Sequence, residues 1–274
     1  MRLNNLKASD RVSIARNPER PGAAEYIKEI FTDFIPLCGD RRNGEDESVL
    51  GGIAMYRGIP VTVIGIRKGR NLEENMKYRF GMPNPEGYRK AQRLMKQAEK
   101  FGRPVITFID TPGAYPGIEA EAGGQGQAIA ESIAIMSALK VPTVAVFTGE
   151  GGSGGALALS VSDRIIMLEN SIFSILSPEG FASILWKDSA KWEEACDVMK
   201  LTAPDLKEYG ICDYIVPEGE EGAKLSDAYI YSEVDKTIFQ ALKSLEKKSG
   251  ETLVKERYRK LRNIGNMRNR KGKN

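Results

Sequence analysis

Histidine is missing altogether: none of the 274 residues is His. That absence removes Ser-His-Asp and Cys-His catalysis, imidazole metal ligands, and the side chain best suited to moving protons near neutral pH. Cysteine is scarce as well. Cys38, Cys196 and Cys212 stand far apart with no Cys-x-x-Cys spacing, which points away from a zinc site and from a disulfide framework. No apolar run approaches the roughly 20 residues of a membrane span, and Met1–Asp10 lacks the apolar core of a secretory leader. A cytoplasmic location, no membrane contact and no metal on this chain are the expectations. An excess of either charge is lacking too, because 40 basic residues face 37 acidic ones and imply no polyanion partner. Chemistry must therefore run on carboxylates, lysines, hydroxyls, backbone amides or the substrate's own groups.

What is present reads as one large domain or two small ones with ample core. Residues 1–48 read as a polar helical lead-in broken at Pro18 and Pro21, with Tyr26, Ile27, Ile30, Phe31 and Phe34 on one helical face. Residues 49–66 read as a hairpin turning at Arg57-Gly58, followed by the basic loop Arg67-Lys-Gly-Arg70. A helix over 85–101 places Tyr88, Ala91, Leu94, Met95, Ala98 and Phe101 on one face, with Gly102 as its stop. From Val105 onward strands and helices alternate. Strands are expected at 105–109, 143–147, 164–168 and 211–216. Helices are expected at about 125–139, from Ala156, after the Ser177-Pro178 start signal, and at about 227–247 and 251–261. The alternation predicts an α/β fold. The one boundary the pattern offers separates the lead-in, 1–48, from a main domain over 49–274. The segment from Lys255 to Asn274 holds nine basic residues against the single acid Glu256 and reads as a solvated tail, or as a docking surface for an acidic partner.

Five glycines in seven positions mark residues 149–155, Gly-Glu-Gly-Gly-Ser-Gly-Gly, read as a loop between a strand and a helix. Such a backbone turns sharply and brings bare N–H groups to a ligand, an arrangement suited to an oxyanion. Its plainer reading is a tight turn that lets a helix pack on the sheet. The loop has no lysine, so it is not a Walker A motif, and it lies mid-domain rather than in the first βα unit, so it is not a dinucleotide fingerprint. The string Gly151-Gly-Ser-Gly-Gly155 matches the Gly-x-Ser-x-Gly nucleophile elbow, but without histidine Ser153 would need a lysine as its base. A second segment, Asp110-Thr-Pro-Gly-Ala-Tyr-Pro-Gly117, also follows a strand and would share its carboxyl edge in a parallel sheet. It reads either as the wall of a cleft or as a rigid connector. Glu119, Glu121 and Glu150 are candidate acid–base groups that read equally as solvated carboxylates. Arg67, Lys68 and Arg70 could meet an anion or simply face water.

Four stretches taken together carry a resemblance: 80–90 (Phe-Gly-Met-Pro-Asn-Pro-Glu-Gly-Tyr-Arg-Lys), 109–117, 149–156, and 177–187 (Ser-Pro-Glu-Gly-Phe-Ala-Ser-Ile-Leu-Trp-Lys). The chain resembles the alpha subunit of the bacterial acetyl-CoA carboxylase carboxyltransferase, from about Ala15 to Gly265. The resemblance implies a crotonase/ClpP-like ββα spiral with an N-terminal helical lead-in and C-terminal helices. It implies transfer of a carboxyl group from carboxybiotin, borne on a separate biotin carboxyl carrier protein, to acetyl-CoA, giving malonyl-CoA at the first committed step of fatty acid biosynthesis. It further implies a zinc-containing beta subunit in an α2β2 heterotetramer, and biotin carboxylase in the larger ATP-binding complex. By the same likeness Gly154, Gly155 and Ala156 donate amide hydrogen bonds to the biotin ureido oxygen. Gly151 and Gly152 shape the turn, and Ser153, Thr111, Pro112, Gly113, Ala114 and Tyr115 line the substrate. A second amide pair, on the beta subunit, would hold the thioester enolate.

Two stretches depart from the family pattern. Glu121-Ala-Gly-Gly-Gln125 stands where relatives read Glu-Glu-Arg-Gly-Gln, and Glu221-Gly-Ala-Lys-Leu225 replaces a Gly-Gly-Ala-His segment. A Ser-Lys peptidase of the same superfamily acting through Ser153, and a non-catalytic scaffold, are the competing readings.

Overall fold

The computed structural model describes residues 6–219 and 221–264. Helices α1 (Ala8–Ala15) and α2 (Ala23–Ile30) lead into strand β1 (Thr32–Pro36), the hairpin β2 (Val49–Tyr56) and β3 (Ile59–Ile66), and the short α3 (Leu72–Lys77). Helix α4 (Pro85–Lys100), strand β4 (Val105–Thr111), α5 (Ile118–Ala122) and α6 (Gln125–Ala138) follow, then β5 (Thr143–Gly152) and α7 (Ser153–Leu157). The remainder is β6 (Arg164–Leu168), β7 (Ile172–Ser174), α8 (Pro178–Trp186), α9 (Trp192–Met199), α10 (Ala203–Glu208), β8 (Tyr214–Val216), α11 (Ala228–Lys243) and α12 (Gly250–Arg262). One eight-stranded sheet runs β1-β2-β3-β4-β5-β6-β8, with β7 pairing the far end of β5. The β1–β3 edge is antiparallel and the rest is parallel.

The parallel strands are covered on both faces, so their sequences are near-continuous apolar runs rather than alternating ones. In β4, Val105 and Ile109 enter the core shared with Leu94, Met95 and Met136, while Ile106 and Phe108 enter the opposite core with Tyr26, Val234 and Ile238. The alternating fold and the hairpin stand as the sequence predicts.

Three expectations are corrected. The lead-in is not helical through Phe34: α2 stops at Ile30, and Thr32 to Pro36 form an edge strand pairing β2. Pro36 disfavours helix at the residue before it and is tolerated on a sheet edge. Gly52 makes the pairing possible, because a Cβ there would lie 2.2 Å from the Ile35 carbonyl oxygen. Phe101 is not on the buried face of α4; it sits past the helix end and is 61% exposed.

The third correction concerns the basic segment from Lys255. Through Ile264 it is not a frayed tail; residues 265–274 lie outside the described residues. Arg257 is fully buried and makes a two-pronged contact with Asp163, 3.0 and 2.9 Å. Its Nη1 also donates to the carbonyls of Met136, Ser137 and Leu139 where α6 ends. Lys260, its ammonium pKa depressed by burial, pairs with Asp213. The helix macrodipole and the unfilled carbonyls of α6 are thus answered by a cation from α12.

The residues before Val49 are tied into the same body. Arg20 forks onto Glu218, 2.6 and 2.9 Å, and donates to the Thr148 carbonyl at 3.0 and 2.7 Å. Arg11 donates to the Glu169 carbonyl and to Asn170. Among the described residues no helix is long and apolar enough to cross a membrane.

Candidate active site

The glycine segment is not the loop that its composition suggests. Residues 149–152 continue β5, and only Ser153 turns the chain, with φ of 52°. The helix begins there rather than at Ala156 and has five residues. Gly151 and Gly152 are extended strand positions whose missing side chains admit neighbours. A Cβ on Gly151 would lie 2.5 Å from the Phe147 ring, and one on Gly152 2.0 Å from the Pro112 carbonyl oxygen. Here glycine serves close approach of backbones, and the one strained turn residue is a serine.

This lets β4 and β5 deliver their ends to one place. Thr111 is in register with Gly151. Thr111 Oγ1 accepts from the Gly113 amide at 3.0 Å and donates to the Gly113 carbonyl at 2.7 Å, closing the 111–113 turn. A Cβ on Gly155 would lie 2.6 Å from the Ala114 nitrogen and 2.9 Å from the Tyr88 hydroxyl. Thr111, Pro112, Gly113 and Ala114 therefore abut 151–155 as the sequence predicts. Tyr115 stands further along, its amide on the Pro83 carbonyl and its ring 6.0 Å from the Arg79 guanidinium.

Gly154 and Gly155 occupy the first turn of α7, where an N–H group has no helical carbonyl four residues before it, and among the described residues the Ala114 amide has no backbone acceptor. Tyr88, fully buried beneath them, has a hydroxyl with no partner, and burial holds its phenol far above its usual pKa, so it stays neutral. Unmatched donors are rare in a folded interior and mark places where a ligand oxygen can be accepted. Ala156 is fully buried in the core. A five-residue helix has little macrodipole, so the site depends on individual amides rather than on a helix end.

Ser153 and Gly154 form one edge of an apolar cleft of about 520 Å³, walled by Phe173, Phe181, Leu206 and Ile211. Ile175 on its lining is more than half exposed, as are Ile184 and Leu185 of α8 and Val198 of α9. Lys200 also lines the cleft, but among the described residues no hydrogen bond joins it or any other lysine to Ser153, which leaves the serine without a described base. We expect Ser153→Ala to leave turnover within about two-fold, because it keeps every amide, and Ser153→Gly to add about 1 kcal/mol of stability by relieving the left-handed turn. Steady-state rates and urea unfolding midpoints check both.

Behind the turn lies a charge network that the sequence did not announce. Asp110 Oδ1 accepts from Lys68 Nζ at 2.6 Å and from the Glu150 amide at 2.9 Å, resting where a Gly149 side chain would be. Glu150 is buried and paired with Arg16 at 2.9 Å, with Lys68 3.6 Å away. It is thus a fastening point rather than a free acid–base group. Arg16 also meets Glu179 at 2.6 Å. Burial opposes the charge on Arg16, but Glu179 and Glu150 outweigh it and hold its pKa above the usual value. Glu119 and Glu121 are exposed on α5, away from this group. Arg67 donates to the Glu47 carbonyl and Arg70 pairs with Glu25, so neither is drawn into the site. In the stretch that departs from the family pattern, Arg89 reaches across from α4 to the Gly123 carbonyl.

Comparison with known proteins places the chain in a family. The family described as acetyl co-enzyme A carboxylase carboxyltransferase-like matches residues 2–265. The acetyl-coenzyme A carboxylase carboxyl transferase subunit alpha of Clostridium perfringens is 57% identical over 264 residues, covering 96% of this chain and 97% of that one. Its counterpart in Bacillus subtilis is 53% identical over 261 residues, covering 95% of this chain and 80% of that protein. Among solved structures, a transcarboxylase 12S bound to methylmalonyl-coenzyme A superposes with a TM-score of 0.70 at 17% identity, over 90% of this chain and 47% of that one. The fold is the crotonase-like one of biotin-dependent carboxyltransferases. A match that spans all four motifs and both ends of the sheet, at more than half identity, leaves no room for the peptidase reading: this chain belongs to the acetyl-CoA carboxylase carboxyltransferase family, as an alpha subunit.

Proposed function

We propose that this chain supplies the biotin half of a carboxyltransferase site, moving the carboxyl group of carboxybiotin to acetyl-CoA to give malonyl-CoA. The observation that carries the reading is the pair of first-turn amides at Gly154 and Gly155, set at the edge of an apolar cleft. A urea-type oxygen needs donors where its negative charge grows, and preorganised amides in a dry cleft provide them without titrating. Ala156 is the third donor by family likeness, and Ala114 stands beside Gly155 from the β4 side.

The residues fit the group. Biotin, arriving on a separate carrier protein, supplies the transferable carboxyl group through its ureido nitrogen. The amides of 154–156 would hold the ureido oxygen. Phe173, Phe181 and Leu157 would cover the apolar ring and arm and keep water from the reacting bond. Thr111 to Tyr115 would form the opposite wall. We assign the thioester oxygen to a second set of amides on a zinc-containing beta subunit in an α2β2 assembly. Ile175 on the cleft, Ile184 and Leu185 of α8 and Val198 of α9 are exposed apolar side chains of the kind that a permanent partner covers.

The test is reconstitution. The alpha chain alone should not carboxylate biocytin from malonyl-CoA, and the chain co-purified with a beta partner should. Full activity of the alpha chain alone would refute the shared site.

A further inference from the structure

Arg16 stands at the C-terminal cap of α1, outside all four family-like motifs, and touches two of them at once. Its Nε and Nη2 donate to Glu150 Oε1 at 3.2 and 2.9 Å, and its Nη1 and Nη2 to Glu179 at 2.6 and 3.4 Å. Glu150 lies three residues before the turn at Ser153, and Glu179 is in the first turn of α8. Residues 179 and 181 are separated by about 200° around a helix. Arg16 therefore holds one side of α8 while Phe181 faces the cleft from the other. The two walls of the cleft, the Ser153–Gly154 turn and the start of α8, share this one guanidinium.

Apolar packing fixes the rest of the arrangement. Val12 and Ala15 of α1 form a small core with Ile172, Cys196 and Leu201. Helix α1 thus stays seated without the ion pairs, and Lys68, 3.6 Å from Glu150, still faces that buried carboxylate when Arg16 is replaced. What Arg16 adds is geometry: a planar fork that meets two carboxylates in fixed directions, which a lysine's single point of charge cannot reproduce.

We infer that Arg16 is a positioning residue that sets the width of the cleft beside the candidate amides, and so the binding of the biotin ring rather than of the acyl-CoA. The inference rests on the proposed function above and adds a residue that the glycine motif does not contain.

The experiment uses the alpha chain co-purified with its beta partner, with biocytin and malonyl-CoA as probes. In this exchange the carboxyl group passes from the malonyl C2 to the ureido nitrogen, and the proton of that nitrogen ends on C2, giving acetyl-CoA. Arg16→Met should raise KM for biocytin about ten-fold, Glu179→Gln about three-fold, and Arg16→Lys should restore only part of the loss, while KM for malonyl-CoA stays within about two-fold in all three. Arg57→Met, at the far end of the sheet and paired with Asp235, serves as the control. Misfolding would reduce the active fraction and leave both KM values unmoved, so a selective KM shift reports position. An unchanged KM for biocytin in Arg16→Met and Glu179→Gln would overturn the inference and leave the functional reading intact. A wild-type complex with no exchange at all would bring down the functional reading, and this inference with it.

Discussion

Gly155→Ala lowers kcat of the reconstituted complex by about 10²–10³-fold, while Gly154→Ala stays within about three-fold. Both substitutions keep their amides, and both add a single methyl group one residue apart. They differ in what that methyl meets. At Gly155 it would lie 2.6 Å from the Ala114 nitrogen and from the Gly113 carbonyl carbon, both backbone, with the Tyr88 hydroxyl at 2.9 Å. None of these can rotate away, so the β4 and β5 termini must separate and their amides lose their common aim. At Gly154 the methyl would touch only Ile129 side-chain atoms, at 3.5 and 3.8 Å, which is ordinary contact. Loss of one aligned donor is worth about 2.7–4 kcal/mol of barrier. The measurement is kcat for malonyl-CoA-dependent carboxylation of biocytin, with thermal melting to confirm that each variant is folded. Equal activities for the two variants would show that the approach of the 113–114 segment to Gly155 has no part in the chemistry.

Arg257→Met costs about 3–5 kcal/mol of folding stability, a large share of the 5–15 kcal/mol of an ordinary domain. The reason is what remains behind. Asp163 is 3% exposed and would keep its negative charge with only the Thr143 amide and hydroxyl as donors. The carbonyls of Met136, Ser137 and Leu139 would lose their donor in the same step. Adding Asp163→Asn to Arg257→Met should recover part of the loss, because a neutral amide no longer needs a cation. Urea unfolding of the alpha chain measures both. A loss below about 1 kcal/mol in Arg257→Met would mean that α12 contributes little to the hold on α6.

Much of this protein was legible before its structure. The hairpin, α4 and the β4–β5 alternation follow from periodicity, since Tyr88, Leu94 and Met95 recur at helical spacing and the strands are unbroken apolar runs. The pairing of 111–114 with 151–155 also followed, because parallel strands present their carboxyl ends together. The misreadings share a cause. A glycine-rich segment reads as a turn, whereas Gly149, Gly151 and Gly152 are extended and make room for Asp110, Phe147 and Pro112. That room is a property of the neighbours, which sequence alone does not place. Charge was likewise read as solvation. Arg16, Arg257 and Lys260 resemble any surface cation in a local window, yet Arg16's partner Glu150 lies 134 residues away and Arg257's partner Asp163 lies 94 away.

Such separations bear on the order in which the molecule is made. Arg20 leaves the ribosome early, but Glu218, which it grips, is 198 residues later. Until then the guanidinium that donates to the Thr148 carbonyl, just ahead of the glycine segment, lacks the carboxylate that holds it. Helix α12, which completes α6, comes later still. A chain ended before Glu218 would lack the carboxylate that fixes Arg20, and one ended before α12 would lack the guanidinium that holds Asp163 and the end of α6. The two buried ion pairs are then the last parts of the fold to close.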